Sequence, residues 1–117
     1  MMLATKAQKK KLRDNHASQL QMLEETGGES EDLVPVVKLF DAWGQAFWLL
    51  TELDENDIAF GLCDLGHGSP ELGYVSLTEL GSVVGPFGVK TIERDLYFDG
   101  EKPLSEYAAE AREGIRP

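Results

Sequence analysis

The stretch from residue 45 to residue 63 limits what this chain can fold into more than any other. Residues 45–53 (QAFWLLTEL) are apolar on both alternating faces, with Ala46, Trp48 and Leu50 on one and Phe47, Leu49 and Leu53 on the other. A strand of that kind has to be covered on both sides, which places it at the centre of a sheet. The polar residues Asp54-Glu55-Asn56-Asp57 then read as a turn. In the next run, residues 58–63 (IAFGLC), Ile58, Phe60 and Leu62 share one face and Ala59, Gly61 and Cys63 the other. The small-residue face admits close approach by a helix or another backbone. A buried helical segment is the competing reading of residues 45–53. The hairpin signal before it, Asp41-Ala42-Trp43-Gly44, favours a strand.

The remaining elements are read around this hairpin. Residues 5–26 form a helix, opened by a capping box at Thr5 and Gln8 and stopped by Gly27-Gly28. Its apolar stripe is Leu12, His16, Leu20 and Leu23, thin enough that the helix packs along the outside, with Lys9, Lys10 and Lys11 on a solvated end. Residues 29–32 are an acidic connector. Residues 34–40 (VPVVKLF) are a first strand, and residues 72–76 (LGYVS) a fourth. Ser76 and Glu79 have capping-box spacing and open a short helix to about residue 84, with Leu77, Leu80 and Val84 inward, ended by Gly85-Pro86. Residues 91–98 (TIERDLYF) alternate as a strand with Ile92, Leu96 and Phe98 inward. Residues 103–113 form a last helix with Leu104, Tyr107, Ala108 and Ala111 inward and Pro103 in its first turn.

This order predicts a single α+β domain over residues 1–117: an antiparallel β-meander of about five strands packed by an N-terminal helix, a short middle helix and a C-terminal helix. Residues 1–33 are the N-terminal helix and acidic connector, and residues 34–117 the sheet with its helices, which cover one face. With 117 residues and 42% hydrophobic content there is material for one core, not two.

Charge narrows the partners. Five of the 11 basic residues fall in the first 13 positions, which hold no acid; the other six face all 21 acids, a balance of −15. A body this acidic repels phosphate backbones and anionic membranes, so direct nucleic-acid or membrane binding by it is not expected. Its plain meaning is solubility; its sharper meaning is a face that occupies a basic surface on a partner protein. Cys63 is the single cysteine, so no intrachain disulfide forms, as in a reducing compartment. The N-terminus lacks the apolar core of a signal peptide and no run approaches the ~20 residues of a membrane span, which makes the cytoplasm the expected location.

The candidate chemistry is sparse. Cys63, Asp64 and His67 lie in or beside the glycine-rich loop from Asp64 to Pro70 (DLGHGSP) and are the residues an enzyme would use, Cys63 as nucleophile and His67 as base. The carboxylate next to Cys63 opposes thiolate formation, and a small packed side chain is the better reading. Two histidines and one cysteine are too few for a zinc site without distant carboxylates. The acidic turn at residues 54–57 lacks an EF-hand pattern, and Gly66, Gly68 and Gly73 match no nucleotide-binding fingerprint, so no cofactor is expected. Glu52 and Glu71 become site candidates only if buried. Trp43, beside Asp41 at a hairpin tip, is either an interface anchor or folded back over the sheet. Glu24, Glu25, Glu29, Glu31 and Asp32 form the densest acidic group, which could imitate phosphates if held rigidly; the neighbouring glycines predict a mobile connector instead.

The runs PVVKLF, WLLTELDENDIAFGLCDLGHGSPELGYVSLTEL, IERDLYF and PLSEYA resemble a family of small bacterial proteins catalogued as a domain of unknown function. The similarity spans roughly residues 34–107 and leaves the Lys9–Lys11 segment outside. The resemblance implies no catalytic residues. It implies a setting: plasmids, conjugative elements and phages, near anti-restriction and replication genes. The expectation is therefore a non-enzymatic, acidic interaction protein of a mobile element that blocks a host defence or nucleic-acid-binding protein. The alternatives are a small hydrolytic or metal-dependent enzyme on the 64–70 loop, and an oligomeric structural or regulatory subunit working through a sheet edge.

Overall fold

The computed structural model describes residues 2–117. The chain runs α1 (Lys6–Thr26), β1 (Val37–Asp41), β2 (Phe47–Leu53), β3 (Ile58–Asp64), β4 (Glu71–Ser76), α2 (Leu77–Ser82), a 3-10 turn at Pro86–Gly88, β5 (Ile92–Arg94) and α3 (Leu104–Arg112). All strands pair antiparallel in the order β4-β3-β2-β1-β5. This is the α+β domain that the pattern of apolar runs and turns implies.

β2 lies at the centre and is apolar on both faces, so each face needs its own cover. Val37, Leu39, Trp48, Leu50 and Ala59 pack with Leu77 and Leu80 of α2 and with Ala4 and Leu12. On the opposite face Phe47, Leu49 and Leu62 pack with Leu104, Tyr107, Ala108 and Ala111 of α3. Helices therefore cover both faces rather than one, a correction that follows from β2 itself.

Pairing runs Leu49↔Leu62 and Leu50↔Gly61, then resumes at Glu52↔Phe60, which leaves Thr51 as an extra residue. Its hydroxyl donates to the Phe60 carbonyl at 3.3 Å. A bulge shifts every later side chain to the other face. Leu53 accordingly joins Trp48 and Leu50, not Phe47 and Leu49 as strict alternation predicts. At Gly61 a Cβ would stand 1.8 Å from the Leu49 carbonyl oxygen, so the close approach its size permits is to the backbone of β2 and not to a helix.

The capping box of α1 is complete: the Gln8 N–H donates to Thr5 Oγ1 at 3.0 Å and the Thr5 N–H to Gln8 Oε1 at 2.8 Å. Gly27, at φ 78°, closes the helix with its N–H on the Leu23 carbonyl. The helix lies along the second half of β2, where Asn15 Nδ2 donates to the Thr51 carbonyl at 2.9 Å. Its buried residues are Leu12 and Gln19, whereas Leu20 and Leu23 are exposed. Gln19 faces inward because its amide both donates to the Glu31 carbonyl (2.7 Å) and accepts from the Glu31 N–H (2.9 Å). A polar residue thus takes the position that an apolar stripe assigns to leucine.

Three further boundaries differ from the sequence reading. β1 begins at Val37 rather than at residue 34. α2 ends at Ser82, and Val84 points to solvent in a bridge with Lys90 instead of inward. β5 stops at Arg94 because the Asp95 side chain accepts from the Tyr97 N–H at 2.9 Å and turns the chain; Leu96 is exposed, and only Phe98 returns to the α3 cluster. Among the described residues no helix is long and apolar enough to cross a membrane.

Candidate functional site

The two edges of the sheet are built differently. β5 is three residues long, carries Glu93 and Arg94, and is followed by Asp95, whose carboxylate sits 3.4 Å from Lys38 Nζ. Short, charged edges discourage pairing with other chains. β4 is six residues long, with Glu71 as its one charge and neither lysine nor proline. Among the described residues its backbone pairs only with β3. Leu72 and Tyr74 are exposed, the latter by 77%.

On one face of β4 lies a groove of about 370 Å³, walled by the second half of α1, the connector and the start of α3. Its floor is Leu33, Phe60, Leu72 and Tyr74, with the Phe60 and Tyr74 rings 5.1 Å apart. Its rim holds Glu31, Asp32 and Glu52, and no lysine or arginine lines it. The backbone of Glu31 and the carboxylates of Asp32 and Glu52 are held by specific partners. Gln19 clamps the Glu31 backbone on both sides. His16 Nδ1 lies 3.2 Å from Glu52 Oε1. Asp32 accepts from the Ser105 N–H at 3.1 Å and from the Ser105 hydroxyl. It thereby caps α3, whose N-cap residue, Pro103, offers no side-chain cap. The end of the connector is thus bonded to α1 through Glu31 and to α3 through Asp32.

On the other face of β4 lies a cleft of about 190 Å³ between Trp48, Leu50, Gly61, Cys63, Gly73 and Val75. A Cβ at Gly73 would meet nothing within 4 Å, so the cleft is open above the strand. The same edge is therefore flanked by a hollow on each side.

The residues singled out from sequence scatter across the surface. Glu24, Glu25 and Glu29 are exposed, with Glu25 accepting from Gln21, while Glu31 and Asp32 belong to the groove. Trp43 is 60% exposed at the β1–β2 turn, where its N–H donates to Asp41 Oδ1 at 2.9 Å; neither residue lines a hollow beside β4. Glu52 is half-buried and Glu71 exposed. Cys63 and His67 share a shallow hollow of about 200 Å³ with Glu71, but Asp64 does not line it. The Asp64 carboxylate is buried and accepts from the Gly66 N–H at 2.8 Å, a turn-forming role. Burial pushes the Cys63 thiol up; a hydrogen bond with Trp48 pulls the other way, and the carboxylates of Asp64 and Glu71 add to the rise. A thiol held protonated beside an exposed histidine is not an activated nucleophile. Among the described residues no three His, Cys, Asp or Glu side chains converge as metal ligands.

Sequence reasoning missed Leu72 and Tyr74 as surface residues and Phe60 as a half-buried part of the groove. The available signal was an apolar alternation in β4 with no later segment to cover it. It also missed Phe87, which is 99% exposed at φ 63° in the turn bridged by Val84 and Lys90.

No curated protein and no solved structure matches this chain. A family described as "protein of unknown function" (DUF2958) matches residues 3–115, including the Lys9–Lys11 helix that the sequence resemblance leaves outside. With the match extending over α1, the sheet and α3 alike, the chain belongs to the DUF2958 family of proteins of unknown function.

Proposed function

We propose that this protein is a non-enzymatic docking protein that receives a basic protein surface in the groove beside β4, as an accessory of a mobile genetic element. The observation that carries the reading is the make-up of the groove: an apolar floor of Phe60, Leu72 and Tyr74 inside a rim of Glu31, Asp32 and Glu52, with no basic residue in its lining. Exposed apolar surface with a polar rim is the composition of an interface rather than of an ordinary solvated face. Lysine and arginine fit it well. Their aliphatic stems lie on the aromatic floor and their charged heads reach the rim.

The net charge of −10 supports the same reading, because it steers a basic partner toward the protein and repels phosphate backbones. The mobile-element setting, and a host defence or nucleic-acid-binding protein as the target, rest on the resemblance of the central sequence run. A protein that binds phosphate backbones carries the basic surface this groove would take. The loop at Cys63, Asp64 and His67 supports an enzyme less well, since its thiol is held protonated and Asp64 is engaged in a turn.

The test is capture from bacterial lysate on immobilised protein, washed at salt rising from about 50 to about 500 mM, a range over which exposed charge pairs are screened. The reading expects a basic protein that is lost on raising salt, lost with Tyr74→Glu, and retained by His67→Ala. Retention by Tyr74→Glu, or loss with His67→Ala, contradicts it.

A further inference from the structure

The open edge of β4 specifies more than a place to dock. We propose that the partner segment binds as an added strand, antiparallel or parallel to β4, with lysine or arginine alternating with aliphatic residues. This inference rests on the docking reading above and deepens it by assigning the binding mode and the sequence chemistry of the ligand.

Three observations meet at this edge. First, β4 is a full-length outer strand whose backbone bonds only to β3 among the described residues, so its outward N–H and C=O groups are a ready template. The register with β3 is continuous from Ile58↔Ser76 to Cys63↔Glu71, with no bulge to twist the edge away. Second, both faces beside the edge are hollow. Strand addition takes affinity from main-chain hydrogen bonds and specificity from pockets for alternate side chains, because successive residues of a strand point to opposite faces. Here Leu72 and Tyr74 share the face of Phe60 and Leu62 and line the larger groove, whereas Gly73 and Val75 share the face of Gly61 and Ala59 beside the smaller cleft, whose lining also takes in Leu72 and Tyr74.

Third, the two hollows differ in chemistry. The groove has an aromatic floor and the acids Glu31, Asp32 and Glu52. The cleft is walled by Trp48, Leu50 and Val75, opened by Gly61 and Gly73, and carries Glu71 at its mouth. Side chains of one parity would therefore be long and cationic, and those of the other aliphatic. The hollows beside the edge are lined by no lysine or arginine that would repel such a segment. The opposite edge offers none of this, since β5 is short and its flank is paired through Lys38 and Asp95.

The experiment uses a fluorescent peptide alternating lysine and valine, measured by anisotropy against the full chain at low salt. Two further versions are N-methylated, one at every lysine amide and one at every valine amide. In a strand the amides of one parity all point to the same side, so only one of the two versions blocks pairing with β4. We expect one methylated peptide to bind more than tenfold more weakly than the parent and the other to bind within about twofold of it; tenfold corresponds to about 1.4 kcal/mol. Equal binding by all three peptides overturns strand addition and leaves the docking reading standing. Failure of the parent peptide to bind, while the Tyr74-dependent lysate partner is still captured, also overturns strand addition alone. Loss of the Tyr74 dependence of that capture overturns the docking reading itself.

Discussion

β2 and β4 belong to one sheet and both carry apolar residues, yet they have opposite fates. β2 is covered on one face by α1, the segment before it and α2, and on the other by α3. β4 has an open hollow on each face and, among the described residues, an unpaired edge. Cover separates the two strands: apolar residues that make a core at the centre are left exposed at the rim, where β4 also carries Glu71 and Gly73.

The sharpest test of that contrast is a pair of truncations. Leu49 is fully buried between β2 and α3, and Leu72 is exposed on β4. Leu49→Ala should cost about 3 kcal/mol in urea unfolding, through lost burial and a residual cavity. Leu72→Ala should cost less than about 0.5 kcal/mol. Similar costs would mean that β4 is covered after all.

A second pair compares two glycines that face each other across β3 and β4. At Gly61 an added Cβ collides with the Leu49 carbonyl, whereas at Gly73 it meets open space. Gly61→Ala should destabilise by about 2 kcal/mol, the cost of overpacking a rigid backbone contact. Gly73→Ala should stay within about 0.5 kcal/mol of the parent. A smaller effect follows at the groove wall: Asp32→Ala removes the cap of α3 and should cost about 1 kcal/mol by thermal unfolding.

Much of the covered region was legible in the sequence and little of the open one. Residues 45–63 announce a hairpin because continuous apolar runs flank a polar turn, in which Asp54 Oδ1 accepts from the Asn56 and Ile58 amides. Thr5 with Gln8, and Leu104 with Tyr107, Ala108 and Ala111, announce the outer helices. The bulge at Thr51 leaves no composition signal, so Leu53 was assigned to the wrong face. Gln19 and Asp32 act through partners 12 and 73 residues away, beyond any local pattern. The groove escaped for the same reason: its floor and rim are drawn from α1, the connector, β2, β3, β4 and α3, and only the fold brings them together.

Phe87 offers a further comparison, because it is exposed like Tyr74 but held in the left-handed region at φ 63°. That conformation costs a side-chain-bearing residue about 1 kcal/mol, which glycine avoids. Phe87→Gly should therefore gain about 0.5 kcal/mol after glycine's larger entropy loss, read as a raised urea midpoint. No such gain is expected at Tyr74, which sits in regular β4.

The smallest effect concerns Cys63, at the border between the two regions. Its folded thiol titrates above its ordinary value, chiefly through burial. As pH rises through the ordinary thiol range the unfolded chain loses its proton first, so it binds fewer protons than the folded chain and stability declines until the folded thiol also titrates. Alkylation by iodoacetamide near pH 8 should accordingly be slower in the folded protein than in urea, with the gap narrowing as pH rises. Faster alkylation in the folded state would mark an activated thiolate and revive the loop as a reaction centre.

The account's central claim is that β4, and not another exposed aromatic site, meets the partner. Its most direct test is a photo-crosslinking amino acid placed in turn at Tyr74, Trp43 and Phe87, irradiated in bacterial lysate. The account predicts a covalent adduct with a basic protein from position 74 and none from positions 43 or 87. Adducts from Trp43 or Phe87, with position 74 silent, would contradict it.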